Sequence, residues 1–201
     1  MPAAGKGARS GPVRGPRRLP GRLVRILRRH LASSGVIAYP TESCFGLGCD
    51  PRDRRAVRRI LRLKGRPQSK GLILIASDFS QLRHYVAELP PRYLERLKQA
   101  WPGPVTFLLP AGPHAPLWVL GRHRLIAVRV TAHGGAAALC RSLGTALVST
   151  SANRLCARPA RTYADCLRRF GRSARVVKGR VGSRRRPSTI MDIETGRILR
   201  S

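Results

Sequence analysis

The sequence predicts a three-layer α/β domain in which a twisted, mixed β-sheet is flanked by helices. Three observations carry this expectation. Short apolar runs alternate with amphipathic helical patterns along the chain, as layered α/β domains require. The run Leu72-Ile73-Leu74-Ile75-Ala76 is apolar without interruption, which fits a strand covered on both faces. Near the end, Ile190–Ile193 and Arg197–Leu199 flank Thr195-Gly196 as a hairpin, which adds antiparallel pairing to the sheet.

The chain has 201 residues, enough for one domain with a tail. Residues 1–18 are rich in Gly, Pro, Ala and Arg and read as a disordered basic tail, leaving 19–201 as the folded domain. Leu19, Leu23, Ile26, Leu27 and Leu31 recur at helical spacing, and Gly35 stops that helix. Val36–Tyr39 is a short buried strand ended by Pro40, and Phe45–Gly48 is a second extended piece. Asp50-Pro51 predicts a helix start, with Val57, Ile60 and Leu61 on its apolar face and Gly65 and Pro67 at its end.

After the apolar strand, helical patterns occupy residues 79–87 and 91–100. Trp101-Pro102-Gly103-Pro104 is a turn before the strand Val105–Leu109. Ile126–Val130 is another strand, and a helix over 134–143 ends at Gly144. The strand Ala146–Val148 then runs into Ser149-Thr150-Ser151-Ala152-Asn153, and a helix near 163–170 precedes two or three last strands. No internal repeat is visible.

Composition narrows the function. The net charge is +31, and the 40 basic residues are 35 Arg and only 5 Lys. Such a charge attracts polyanions, although a general drift toward Arg would also make a basic surface. Nine Lys or Arg fall in the first 30 residues, so +22 remains on the rest. No apolar run is long enough for a membrane span, and no apolar segment follows the first charges as a secretory signal needs. The five cysteines form no C-x-x-C pair, which argues against a disulfide framework or a zinc site and for a reducing cytoplasm.

Four polar segments interrupt the apolar scaffold at or just after strand ends, where α/β domains place ligands. Pro40-Thr41-Glu42-Ser43 offers a hydroxyl and a carboxylate for a polar substrate, or for capping a turn. The loop Lys64-Gly65-Arg66-Pro67-Gln68-Ser69-Lys70 holds two of the five lysines, kept where Arg prevails elsewhere. A compact ammonium retained there reads as a phosphate site, or as a solvated basic loop. Arg129 interrupts a strand of β-branched residues, either on an exposed face or as a fork for a carboxylate. Ser149–Asn153 could cradle phosphate or carboxylate oxygens, or be an ordinary turn. No catalytic triad, H-E-x-x-H pair, Walker loop or G-x-G-x-x-G is present, and nine acids supply little carboxylate chemistry. An enzyme of this composition works by positioning and charge neutralisation rather than through a protein nucleophile.

Taken in order, these segments resemble the threonylcarbamoyl-AMP synthase family, the Sua5/YrdC/TsaC proteins. The likeness rests on Tyr39-Pro40-Thr41-Glu42-Ser43-Cys44-Phe45-Gly46-Leu47-Gly48, Leu63-Lys64-Gly65-Arg66-Pro67, Ala127-Val128-Arg129-Val130, Ser149-Thr150-Ser151-Ala152-Asn153 and Pro187-Ser188-Thr189. It spans about residues 20–201 and is similar to the short, single-domain bacterial form, so it implies a YrdC-like domain. It implies a nucleotidyltransferase that makes L-threonylcarbamoyladenylate and pyrophosphate from L-threonine, bicarbonate or CO2, and ATP with Mg²⁺. Other tRNA threonylcarbamoylation proteins would then modify adenosine 37 of tRNAs reading ANN codons.

By motif position, the resemblance places Lys64 and Arg66 as catalytic. It gives ATP to Lys64, Arg66, Lys70, Ser151, Asn153 and Arg200, and threonine to Thr41, Arg129, Ser149 and Ser188, with no protein metal site. The chain departs from many relatives at Lys70-Gly71-Leu72, where Asn-Pro-Leu is common, and at Ile75, where longer relatives carry His. The charge keeps a second expectation open: a non-catalytic RNA-binding or ribosome-maturation protein, or an enzyme that also touches tRNA or double-stranded RNA. A hydrogenase-maturation carbamoyltransferase is a third, but its Cys-rich zinc modules and acylphosphatase segment are missing.

Overall fold

A computed structural model describes residues 18–200, so the expected tail lies outside the described residues apart from Arg18. One sheet contains β1 (Ile37–Pro40), β2 (Phe45–Gly48), β3 (Ile73–Ala76), β4 (Val105–Pro110), β5 (Leu125–Val130), β6 (Leu147–Ser151), β7 (Arg175–Val176), β8 (Thr189–Asp192) and β9 (Ile198–Arg200). The spatial order is β7-β1-β2-β6-β3-β5-β4-β8-β9. The pairs β1/β7, β3/β5 and β4/β8 are parallel and the others antiparallel, so the sheet is mixed as expected.

Helices cover both faces. On one side, α1 (Gly21–Ala32) and α6 (Gly134–Leu143) enclose a core of Leu27, Leu31, Ile37, Tyr39, Ile75, Leu139 and Leu147. On the other side, α2 (Arg54–Lys64), α3 (Ser80–Arg83), α4 (Pro91–Ala100), α5 (Leu117–Leu120) and α7 (Tyr163–Phe170) close a larger core. Strand side chains alternate between the two. Ala38, Leu74 and Val148 enter the larger core, while their neighbours Tyr39, Ile75 and Leu147 enter the smaller. Among the described residues no helix is long and apolar enough to cross a membrane.

The local differences from expectation have physical causes. Helix α2 begins at Arg54 rather than after Asp50, because the Asp53 carboxylate accepts from the free N–H groups of Arg55 and Ala56. Asp50 instead accepts from the Arg52 backbone and guanidinium in the preceding turn. The helix expected over 79–87 shortens to α3, since Val86 bridges Ala111 and the Ala87 N–H turns to the Pro110 carbonyl. Strand β6 continues through Ser151, because Thr150 and Ser151 pair with Leu47 and Gly46 of β2. His133 caps α6 by accepting from the Ala136 N–H.

Close approach requires glycine at position 48. A Cβ on Gly48 would sit 2.5 Å from the Val148 carbonyl oxygen and 2.7 Å from the Tyr39 ring. The Tyr39 hydroxyl donates to that same carbonyl, so ring and backbone are both held. Gly48→Ala is therefore expected to lower stability by about 1–3 kcal/mol, measured by urea unfolding.

Candidate active site

The helical cover of the α1/α6 face is incomplete. Over the remainder of that face the sheet forms the floor of a cavity of about 590 Å³, a volume usual for a small-molecule site. Register brings its floor together. Ile73 of β3 lies between Ser149 of β6 and Ala127 of β5, and Ala127 faces Leu108 of β4. Ile75 lies beside Arg129, one step along on the same face. The expected fully covered strand thus has one partly exposed residue, Ile73, because it faces the cavity.

All the expected site residues line this cavity: Thr41, Lys64, Arg66, Lys70, Arg129, Ser149, Ser151, Asn153, Ser188 and Arg200. They are built differently. Lys64 is 6% exposed at the end of α2. Its Nζ donates to the Ser151 carbonyl at 2.6 Å, and to the Asn153 carbonyl and Oδ1 at 3.0 Å each. An ammonium has three hydrogens, so Lys64 has no spare donor. Burial and then the neighbouring Arg66 charge push its pKa down to about 8, while the three oxygens favour the charged form. The Ser151 hydroxyl donates to Asn153 Oδ1 at 2.6 Å, which fixes the far side of the loop.

Gly65 ends α2 in the left-handed region at φ 62° and turns the chain toward the cavity. Arg66 then folds back to donate to the carbonyls of Lys70 and Gly71. Gln68–Lys70 forms a single 3₁₀ turn, and Lys70 stays exposed at the rim. On β9, the Arg200 guanidinium donates to the Ser188 carbonyl at 2.8 Å and to its hydroxyl at 3.1 Å. Burial lowers the pKa of Arg66, and that of Arg200 is lowered by burial and by the charges of Arg129 and Arg66. Six Lys or Arg side chains line the cavity, and no carboxylate is among the lining residues described.

Arg129 is 7% exposed and points to the cavity face rather than to open solvent. It pairs at 2.7 Å with Glu42, which also accepts from the Thr131 hydroxyl at 2.7 Å. Arg129 Nε has no partner among the described residues. The sequence offered Glu42 as a carboxylate for a polar substrate or a turn cap, whereas the fold gives it to Arg129 and Thr131, and Thr131 was assigned no role from the sequence. Thr131 carried a usable signal, since two residues along a strand from Arg129 is the same face. Glu42 carried one only as part of Pro-Thr-Glu-Ser, and its partner 87 positions away is visible only in the fold. His123 and Arg124 also line the cavity without any sequence signal.

A family profile for Sua5/YciO/YrdC, described as "Telomere recombination", matches residues 29–201. The chain belongs to the Sua5/YciO/YrdC family. It is 56% identical over 192 residues to a protein of Chromobacterium violaceum named threonylcarbamoyl-AMP synthase, covering 95% of this chain and 98% of that one. A Thiobacillus denitrificans protein of the same name is 56% identical, with 87% and 93% covered. Identity of this extent makes the chain an enzyme of the nucleotidyltransferase class. Among solved structures, P. abyssi Sua5 complexed with L-threonine superposes with a TM-score of 0.80 at 29% identity. That match covers 88% of this chain and 52% of the P. abyssi chain, so this family member spans about half of that protein. E. coli YciO matches with a TM-score of 0.77 at 28% identity, covering 92% of each chain.

The Glu42–Arg129 pair has a testable consequence. Burial raises the Glu42 pKa, but Arg129 and the Thr131 hydroxyl outweigh it, so the net shift is downward from 4.5. A lowered carboxyl contributes stability above its unfolded value, lost as pH falls through the folded value. Glu42→Gln is expected to cost about 3 kcal/mol at neutral pH. It should also flatten the stability profile below the unfolded Glu pKa, as read by chemical denaturation across pH.

Proposed function

We propose that this enzyme is a threonylcarbamoyl-AMP synthase, making L-threonylcarbamoyladenylate and pyrophosphate from L-threonine, bicarbonate or CO2, and ATP. The observation that carries this reading is a single cavity with six cationic side chains and no carboxylate among its lining residues. A triphosphate, a carboxylate and a carbamate are the kind of charges such a lining would hold together. The family relatives named for this product, and the P. abyssi Sua5 structure with L-threonine, support the same reading.

In this proposal the threonine amine adds to CO2 and loses a proton, giving a carbamate. A carbamate oxygen then attacks the α-phosphorus of ATP, and pyrophosphate leaves with the electrons of the broken P–O bond. Lys64, Arg66, Lys70, Ser151, Asn153 and Arg200 take the nucleotide, while Thr41, Arg129, Ser149 and Ser188 take threonine. Arg129 would pair the threonine carboxylate, its fork held in place by Glu42. Lys64 acts chiefly as a fixed charge, because its hydrogens are already committed to Ser151 and Asn153. Lys64 and Arg66 spread the phosphoryl charge in the transition state.

Among the described residues no group of three or more His, Cys, Asp or Glu is placed to hold a metal ion. In this proposal magnesium enters with the nucleotide, as MgATP. The product would pass to the other tRNA threonylcarbamoylation proteins for adenosine 37 of tRNAs reading ANN codons. Cytoplasmic residence belongs to the same proposal and accords with five free thiols. Contact with tRNA or double-stranded RNA is a compatible second property, favoured by the net charge of +31, and would weaken steeply with salt.

The deciding experiment is pyrophosphate release with MgATP and bicarbonate, with and without L-threonine. Release that requires threonine is expected; threonine-independent release, or none, would overturn the reading in favour of non-catalytic RNA binding. Arg66→Ala should lower kcat/KM for ATP by about 10²-fold while the melting curve stays near that of the wild type.

Acid–base behaviour offers a second check. The charged Lys64 is the useful form, so kcat/KM for ATP should fall as pH rises through about 8, the value set by burial and Arg66. A profile flat across that range would remove Lys64 from the nucleotide site.

A further inference from the structure

We propose that Thr106 is a positioning residue that commits the Ser188 hydroxyl to donate into the cavity, toward an acceptor oxygen of the substrate carboxylate. This deepens the threonine reading above and rests on it.

Thr106 lies on β4 and is fully buried, on the same strand face as the cavity-lining Leu108. Its Oγ1 is 2.9 Å from Ser188 Oγ and makes no other hydrogen bond among the described residues. Ser188 Oγ is also 3.1 Å from the Arg200 NH2 group, which can only donate. A hydroxyl has one hydrogen and two lone pairs. Were Ser188 to donate to Thr106, the buried Thr106 hydrogen would have no acceptor, an arrangement folded proteins avoid. Thr106 therefore donates. Both lone pairs of Ser188 are then filled, by Thr106 and Arg200, and its hydrogen is free of both. Ser188 lines the cavity, so that hydrogen serves a ligand.

Thr41 has the opposite commitment. Its hydroxyl donates to the Cys44 carbonyl at 2.7 Å and leaves only lone pairs for the cavity. The site thus offers donors at Ser188 and Arg129 and an acceptor at Thr41. That polarity suits a molecule with a carboxylate at one end and hydrogen-bond donors nearby, as an amino acid has.

Thr106→Val keeps the side-chain shape and removes the donor; Thr106→Ser keeps the donor. Threonine affinity by calorimetry, and KM for threonine and for ATP, are measured for both and for Ser188→Ala. Thr106→Val is expected to weaken threonine binding about tenfold with KM for ATP unchanged, and Thr106→Ser to restore it to within about twofold. Adding Thr106→Val to Ser188→Ala should weaken threonine binding no further, because the effect runs through Ser188. Unchanged threonine affinity in Thr106→Val, equal losses for threonine and ATP, or failure of Thr106→Ser to rescue overturns the proposal while leaving the synthase reading intact. A wild-type protein that does not bind threonine overturns both. If Thr106→Val does not fold, the Thr106→Ser and Ser188→Ala comparison decides: the proposal requires wild-type-like binding in the first and about a tenfold loss in the second.

Discussion

A single buried ammonium holds the two halves of the site in register. Lys64 ends α2, and among the described residues its Nζ is satisfied only by oxygens of Ser151 and Asn153, beyond the middle of β6. A buried charge without such partners would cost several kcal/mol. The end of α2 and the end of β6 are therefore obliged to meet. The Leu155 N–H donates back to the Lys64 carbonyl, closing the same junction from the other side. A cation at a helix C-terminus also faces the negative end of the helix dipole. The loop carrying Arg66 is aimed by this junction, since it leaves α2 through Gly65 immediately afterwards.

Around that anchor the site concentrates like charge. Arg66, Arg129 and Arg200 are near enough for the first two to lower the pKa of the third. Only Arg129 has a carboxylate partner; Arg66 and Arg200 are held by backbone carbonyls. Carbonyls orient a guanidinium without neutralising it, so the field in the cavity remains positive. Such an arrangement stores repulsion that an anionic ligand relieves, and any ligand that binds the folded form stabilises it in turn. In the proposed reaction the same fixed dipoles and charges would face the moving negative charge without further reorganisation.

The hydroxyls supply what charge cannot. Thr41, Ser188, Thr106 and Ser151 each sit in a hydrogen-bond chain that leaves little rotational freedom. Charge draws anions of many kinds into the cavity, whereas directed hydroxyls distinguish an acceptor from a donor at a given place. The polar groups come from different parts of the fold: Lys64 and Ser151 meet where α2 joins the end of β6, and Thr106 and Ser188 meet where β4 pairs with β8.

Much of this was legible in the sequence, for identifiable reasons. The apolar runs named most strands because burial on a sheet face leaves a local pattern, and Gly65 and Gly144 marked helix ends because the left-handed turn there favours glycine. Lys64, Arg66, Arg129, Ser151 and Asn153 stood out as polar interruptions of an apolar scaffold. The helix start at Asp53 was missed because Asp50-Pro51 carries the same local chemistry, and capping was decided by which carboxylate reached two free N–H groups. The partnerships lay beyond any local pattern. Glu42 with Arg129, Lys64 with Ser151 and Thr106 with Ser188 join residues separated by more than eighty positions. The sequence by itself determined the layers, the polar segments and the basic character. Only the tertiary structure decided which polar groups meet, because strand order and register, set by packing of both sheet faces, bring distant segments to one cavity floor.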